Sequence, residues 1–149
     1  MRILLVCMGN TCRSPMAEAL LRLEAARRGL RINVASAGVR CGNPGGPAND
    51  HAIAAMQARG IDLSSHMQRQ VEAAAISQFD MIIALDGAVR DKIRKTVPDL
   101  KVSLLLDFSI ENVGENVPDP YGQGPEAYER AVQLIKAGIE GLLAQISSS

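Results

Sequence analysis

Cys7-Met8-Gly9-Asn10-Thr11-Cys12-Arg13-Ser14 gathers a thiol, a glycine-bearing loop and a guanidinium into one short segment. A thiolate is a nucleophile, successive main-chain N–H groups bind an oxyanion, and a planar guanidinium grips two phosphate oxygens at once. The chemistry open to such a set is attack of sulfur on a bound phosphate monoester. Gly9 allows the backbone close to the anion, and Asn10 tolerates the left-handed conformation of a reversing loop. Met8, Thr11 and Cys12 add their N–H groups to the cup, and Arg13 is its clamp. Ser14 either donates a hydrogen bond to the sulfur or simply starts a helix.

Attack on an ester also needs an acid for the departing oxygen. Asp119 is the candidate, because Pro118 and Pro120 restrict the backbone on both sides of its carboxyl. In the return step the same carboxylate would draw a proton from water. The alternative is an Asp-Pro turn with no part in chemistry.

The elements that must position these groups follow from hydrophobic pattern. Ile3-Leu4-Leu5-Val6 reads as a buried strand over residues 2–6, ending where the motif begins. Pro15–Arg28 reads as a helix with Met16, Leu20 and Leu23 on its apolar stripe and Gly29 after its end. The motif therefore sits at a helix start, which offers unpaired N–H groups and partial positive charge. Arg31–Ser36 completes a βαβ unit, and residues 37–48 form a loop rich in glycine and proline. A helix capped by Asn49 or Asp50 runs to Arg59-Gly60, and Ser64 or Ser65 caps a further turn around His66–Gln70. Phe79–Leu85 is a strand, Asp86–Val97 a helix, Val102–Leu106 a strand, residues 107–124 a polar loop and Pro125–Ile146 the last helix. Ser147–Ser149 should fray. Strands alternating with helices indicate an α/β fold on a parallel sheet, and 149 residues suit one domain.

Composition narrows the function. Net charge is zero at neutral pH, so an anion must be drawn by a local site, and nucleic acid or an acidic membrane surface is not expected as a partner. No apolar stretch is long enough for a bilayer span or a signal-peptide core, which points to the cytoplasm. Three cysteines cannot all pair, in keeping with a reducing compartment and a reactive thiol. His51 and His66 lie far from Cys7 and Cys12 in sequence, so neither a metal site nor any cofactor is expected.

With these residues assembled, the chain resembles the low-molecular-weight protein tyrosine phosphatases, in their bacterial form. The resemblance rests on Val6-Cys7-x-Gly9-Asn10-x-Cys12-Arg13-Ser14-Pro15-x-Ala17-Glu18, Ser36-Ala37-Gly38, Gly60-Ile61-Asp62-Leu63-Ser64-x-His66, Arg69-Gln70, Phe79-Asp80 and Asp119-Pro120-Tyr121. It implies a three-layer domain whose four-stranded parallel sheet has the order 2-1-3-4. It implies Cys7 as nucleophile, Arg13 as phosphate clamp, Ser14 as thiolate partner and Asp119 as general acid. Asn10, Ser36 and His66 would hydrogen-bond to hold the phosphate loop in shape, and Tyr121 would stack beside the substrate ring. The implied substrates are phosphotyrosine proteins, by analogy a bacterial autophosphorylating tyrosine kinase, and the default state is a monomer.

Three positions depart from the family pattern. Many relatives place an aromatic residue in the loop after Ser36-Ala37-Gly38, where this chain has Gly42; Arg40 would instead meet acidic residues around the phosphotyrosine. Gly122 follows Tyr121 where relatives often carry a second tyrosine. Val89 stands three residues after Asp86 where the family often has Asn, so a hydrogen bond there must be lost or replaced.

Cys12 is either a small core residue or a second thiol that captures oxidised Cys7 as a disulfide; Cys41 has no assigned role. Among other functions, an arsenate reductase on the same fold would need a further cysteine pair, which residues 80–100 lack. A phosphoprotein-binding module would not need the nucleophile or the acid. Nucleotide-binding glycine fingerprints are absent.

Overall fold

The computed structural model describes residues 1–148. Four parallel strands, β1 (Arg2–Cys7), β2 (Asn33–Gly38), β3 (Met81–Ala84) and β4 (Val102–Leu104), form one sheet in the order β2-β1-β3-β4. The helices are α1 (Arg13–Arg27), α2 (Asp50–Gln57), α3 (Ala73–Ile76), α4 (Gly87–Thr96) and α5 (Pro125–Ser147). This is the α/β fold that the sequence pattern indicated, with the strand order that the family resemblance implied.

Strand alternation separates two cores. Ile3 and Leu5 face a cluster with Met16, Leu20, Leu21 and α5 residues such as Tyr128 and Ile135. Leu4 and Val6 face the other cluster, with Ile82, Val89 and Ile93. A central strand buried on both faces leaves its C-terminal end as the place where side chains and loops emerge, and Cys7 is the last residue of β1.

Local sequence terminates the helices. After α1, Gly29 takes φ 68°, its N–H donates to Ala26 O at 3.1 Å, and the Leu30 N–H donates to Ala25 O at 2.9 Å, which caps the last carbonyls. Asn49 caps α2 by accepting from the His51 N–H at 2.9 Å.

Several boundaries differ from expectation. The first helix starts at Arg13 rather than Pro15, so Arg13 and Ser14 belong to its opening turn. The second strand is shifted to Asn33–Gly38 because it pairs with β1 along its full length, ending Cys7 against Gly38. The third strand is shorter than predicted, although the flanking Asp80 and Leu85 N–H groups still bond to Arg2 O and Val6 O. The last strand ends at Leu104 and turns into a 3-10 segment, Leu105–Phe108. There α5 comes close: a Cβ on Gly141 would lie 1.7 Å from Phe108 O, and one on Gly138 would lie 2.6 Å from Leu105 Cγ. Residues 66–70 form no turn of helix but an extended run, with Gln70 bridged to Gly38. α3 was not foreseen, being one turn long with no measurable period. Ser147 is helical and donates its hydroxyl to Leu143 O, so fraying does not begin there; Ser149 lies outside the described residues.

Candidate active site

Between β1 and α1 the chain reverses over Met8–Cys12. Asn10 has φ 59°, the one positive value on a non-glycine among the described residues, as a short polar side chain permits. Gly38 at the end of β2 lies beneath this loop. A Cβ there would meet Asn10 N, Gly9 C and Met8 O, each at 2.8 Å. The N–H groups of Gly9, Thr11 and Cys12 have no acceptor among the described residues, and no side chain caps α1. They are the free donors an anion would use.

Cys7 Sγ receives the Asn10 N–H at 3.3 Å and lies 2.9 Å from Ser14 Oγ. For a Cys7 thiolate, which can only accept, the partners around Ser14 set up the second contact. Asn10 Oδ1 accepts the Arg69 N–H at 2.8 Å, which turns the amide nitrogen toward the two serines. Nδ2 then donates to Ser14 Oγ at 2.8 Å and to Ser36 Oγ at 3.0 Å. The Ser14 oxygen is thus an acceptor from Asn10, and its own hydrogen is available to a sulfur anion at 2.9 Å, with Ala37 O at 3.5 Å the longer alternative. Ser36 passes its hydrogen to Glu18 Oε1 at 2.5 Å, and His66 Nε2 bonds to Asn10 O at 3.0 Å.

Arg13 is 3% exposed yet fully engaged along one edge. Nη1 lies 2.6 Å from Asp86 Oδ2 and donates to Val117 O at 2.9 Å. Nη2 lies 3.7 Å from Asp119 Oδ2. Asp86 spends its other oxygen on the Val89 N–H at 2.8 Å, while the apolar Val89 side chain, fully buried, brings no hydrogen bond of its own where the family pattern has Asn. Asp119 is exposed and its Oδ1 accepts the Tyr121 N–H at 3.1 Å, as Asx turns do.

A cavity of about 420 Å³ brings together Cys7, Met8, Gly9, Thr11, Cys12, Arg13, Arg40, Asp119 and Tyr121. Gly42, Asn43 and Gln68 complete its wall. Asn10 and Ser14 are fully buried behind that wall, with Ser36 and His66 behind them. Cys12 has the Tyr128 hydroxyl at 3.3 Å; burial pushes up both this thiol and the Tyr128 phenol. No aromatic side chain faces Tyr121 across the cavity, whose ring is itself two-thirds exposed.

Sequence reasoning gave no role to Glu18, Gly38, Asp86 or Gln68. The first two lay inside quoted motifs, and Asp86 ends a strand beside the site, where the strand ends of such sheets bind ligands. Gln68 carried no signal.

The model of the family described as low molecular weight phosphotyrosine protein phosphatase matches residues 2–149. This chain belongs to that family. It is a protein phosphatase of the cysteine-dependent kind, and phosphoproteins are its substrates. The low molecular weight protein-tyrosine-phosphatase YfkJ of Bacillus subtilis is 38% identical over 97% of this chain and 94% of its own length. The probable low molecular weight protein-tyrosine-phosphatase EpsP of Ralstonia nicotianae is 35% identical over 97% of this chain and 94% of its own. Among solved structures, the YwlE arginine phosphatase, a cysteine-to-serine mutant with a phosphorylated active site serine, superposes with TM-score 0.92 at 32% identity, covering 99% of this chain and 96% of that one. Among the described residues no helix is long and apolar enough to cross a membrane, and no three His, Cys, Asp or Glu side chains are grouped to hold a metal ion.

Proposed function

We propose that this phosphatase hydrolyses protein phosphotyrosine through a phosphocysteine at Cys7. The reading is carried by one observation: the Ser14 hydroxyl and the Asn10 N–H both converge on Cys7 Sγ in a cavity shared with Arg13 and Asp119. The free N–H groups of the loop and the outer edge of Arg13 hold the phosphoryl oxygens, and their preorganisation stabilises the shifting charge. Sulfur attacks phosphorus, the P–O bond to the ring breaks, and Asp119 gives its proton to the departing oxygen. Water then attacks the phosphocysteine, Asp119 takes its proton, and the thiolate leaves with a hydrogen bond from Ser14. Tyr121 flanks the leaving ring and Arg40 meets acidic residues beside it.

The test is turnover of p-nitrophenyl phosphate and of a phosphotyrosine peptide by wild type, Cys7→Ser and Asp119→Ala. Cys7→Ser should show no turnover while still binding phosphate. Asp119→Ala should lose far more activity on the tyrosyl ester than on nitrophenol, whose departure needs little acid help. Equal losses would remove Asp119 from the acid role.

A second reading is favoured by the cavity wall. Thr11, Asn43 and Gln68 line the cavity together with Asp119 and Tyr121, and these polar groups suit a leaving group bearing N–H donors. A relative named for arginine phosphatase activity shares the fold closely. Phosphoarginine is therefore the alternative substrate, with Asp119 protonating the departing guanidine nitrogen.

We also assign the enzyme to the cytoplasm as a monomer, acting on an autophosphorylated tyrosine kinase; similarity to EpsP supports a bacterial tyrosine-phosphorylation setting. Peroxide would oxidise Cys7 to a sulfenic acid, and attack by Cys12 sulfur would expel water to give a reversible disulfide. Mass mapping of oxidised peptides that shows only sulfinic Cys7 would exclude this.

A further inference from the structure

Gln68 is the one buried polar side chain in the cavity wall that the proposed chemistry leaves without a task. It is 8% exposed and held on three sides by the loop beside it. Its N–H donates to Gly46 O and its carbonyl accepts from the Gly45 N–H, each at 2.8 Å. Its side-chain Nε2 donates to Pro47 O, also at 2.8 Å. This last bond fixes the orientation of the amide, since a flipped amide would set oxygen against oxygen. Among the described residues Oε1 has a single partner, the Cys41 thiol at 3.7 Å. A thiol is a weak donor, and an amide oxygen has two lone pairs, so the acceptor has capacity to spare.

We propose that Gln68 is a specificity-determining residue, its side-chain oxygen accepting an N–H of a phosphorylated guanidinium held over Cys7. The inference rests on the phosphoarginine reading above. A tyrosyl leaving group carries no N–H on its ring and leaves this acceptor unmatched. A guanidinium offers donors on its in-plane edge, with Thr11 Oγ1 and the Asp119 carboxylate as further acceptors in the same cavity. Sites that hydrogen-bond one substrate discriminate strongly against an analogue lacking the group, because the protein atom is then left unpaired.

The experiment compares kcat/KM on a phosphoarginine peptide and a phosphotyrosine peptide for wild type, Gln68→Met and Gln68→Glu. Both variants lose the bond to Pro47, so any loosening of the loop is common to them. Only Glu keeps an acceptor. The expected result is a fall of about tenfold in the phosphoarginine-to-phosphotyrosine ratio for Gln68→Met, with the ratio kept or raised in Gln68→Glu. An unchanged ratio in Gln68→Met, or equal falls in both variants, overturns the proposal while leaving the phosphoarginine reading in place. Wild type that cleaves phosphotyrosine but not phosphoarginine defeats that reading and this inference with it. Should Gln68→Met fail to fold, Gln68→Ala carries the same ratio test.

Discussion

Asp86 Oδ2 lies 2.6 Å from Arg13 Nη1, and Val117 O takes the same nitrogen at 2.9 Å. One edge of the guanidinium is thereby occupied by protein, and in the proposed mechanism the Nε–Nη2 edge, with Asp119 Oδ2 3.7 Å from Nη2, is the one that would take phosphate oxygens. Asp86 in turn is held by capping α4, so strand β3 and helix α4 together set the angle of a side chain that springs from α1.

Replacing Asp86 by Asn keeps a cap for α4 but sets an amide against the buried cation. The expected outcome is a fall of about 100-fold in kcat/KM for p-nitrophenyl phosphate, since small displacements of a positioning group cost that much. Steady-state kinetics on the purified variant, with helix content checked by circular dichroism, would show it. Activity within a few-fold of wild type would mean that Arg13 does not depend on Asp86.

Ser14→Ala removes the hydroxyl that lies 2.9 Å from Cys7 Sγ and can donate to its thiolate. A hydrogen bond to a charged sulfur contributes about 2 kcal/mol, so expulsion of the thiolate from phosphocysteine should slow about 30-fold. Rapid-quench measurements should then reveal a burst of released phenol followed by slow turnover. A variant with unchanged turnover and no burst would deny Ser14 this part.

Gly38→Ala would drive a methyl group into Met8 O, Gly9 C and Asn10 N, all of them backbone and none able to swing aside. The phosphate loop must shift. We expect phosphate affinity to drop by at least tenfold and stability to fall by about 2 kcal/mol, of the order of other overpacking changes. Isothermal titration with inorganic phosphate and urea unfolding are the measurements.

Stability should decline on the alkaline side. Burial raises the Cys12 thiol above its ordinary value of 9.0 and raises the Tyr128 phenol as well. Both groups therefore keep their protons longer in the folded state than in the unfolded chain. The stability they contribute is fully present below pH 9, the ordinary thiol value, and is lost as pH rises beyond it. Melting temperatures measured from pH 8 to 10.5 should fall for wild type. The fall should be shallower in a Cys12→Ser, Tyr128→Phe double variant, and parallel curves would exclude these two groups as the cause.

The strands, the helices and the place of the motif were legible because they depend on local and periodic signals, whereas the strand order came only with the family resemblance. Ile3 to Val6 read as a doubly buried strand, Gly29 and Gly60 as helix ends, and the Cys-x5-Arg segment between strand and helix as an oxyanion-binding loop with a nucleophile. Element ends were less legible. The last strand stops at Leu104 because α5 packs its glycines onto the next turn, a contact about 30 residues away along the chain. No window of sequence contains both partners.

Sequence alone determined which candidate groups the site could offer, since thiol, guanidinium and carboxyl are chemical identities that folding does not alter. Tertiary structure decided their orientation. The availability of the Ser14 hydrogen to a sulfur anion follows from Arg69 turning the Asn10 amide, and the free edge of Arg13 follows from Asp86; these partners stand 59 and 73 residues away along the chain. Hydrogen-bond polarity depends on which donor meets which acceptor in space. Spacing along the chain carries no record of it, and for that reason Gln68 became visible only when the residue was found in the cavity wall with a thiol as the donor to its side-chain oxygen.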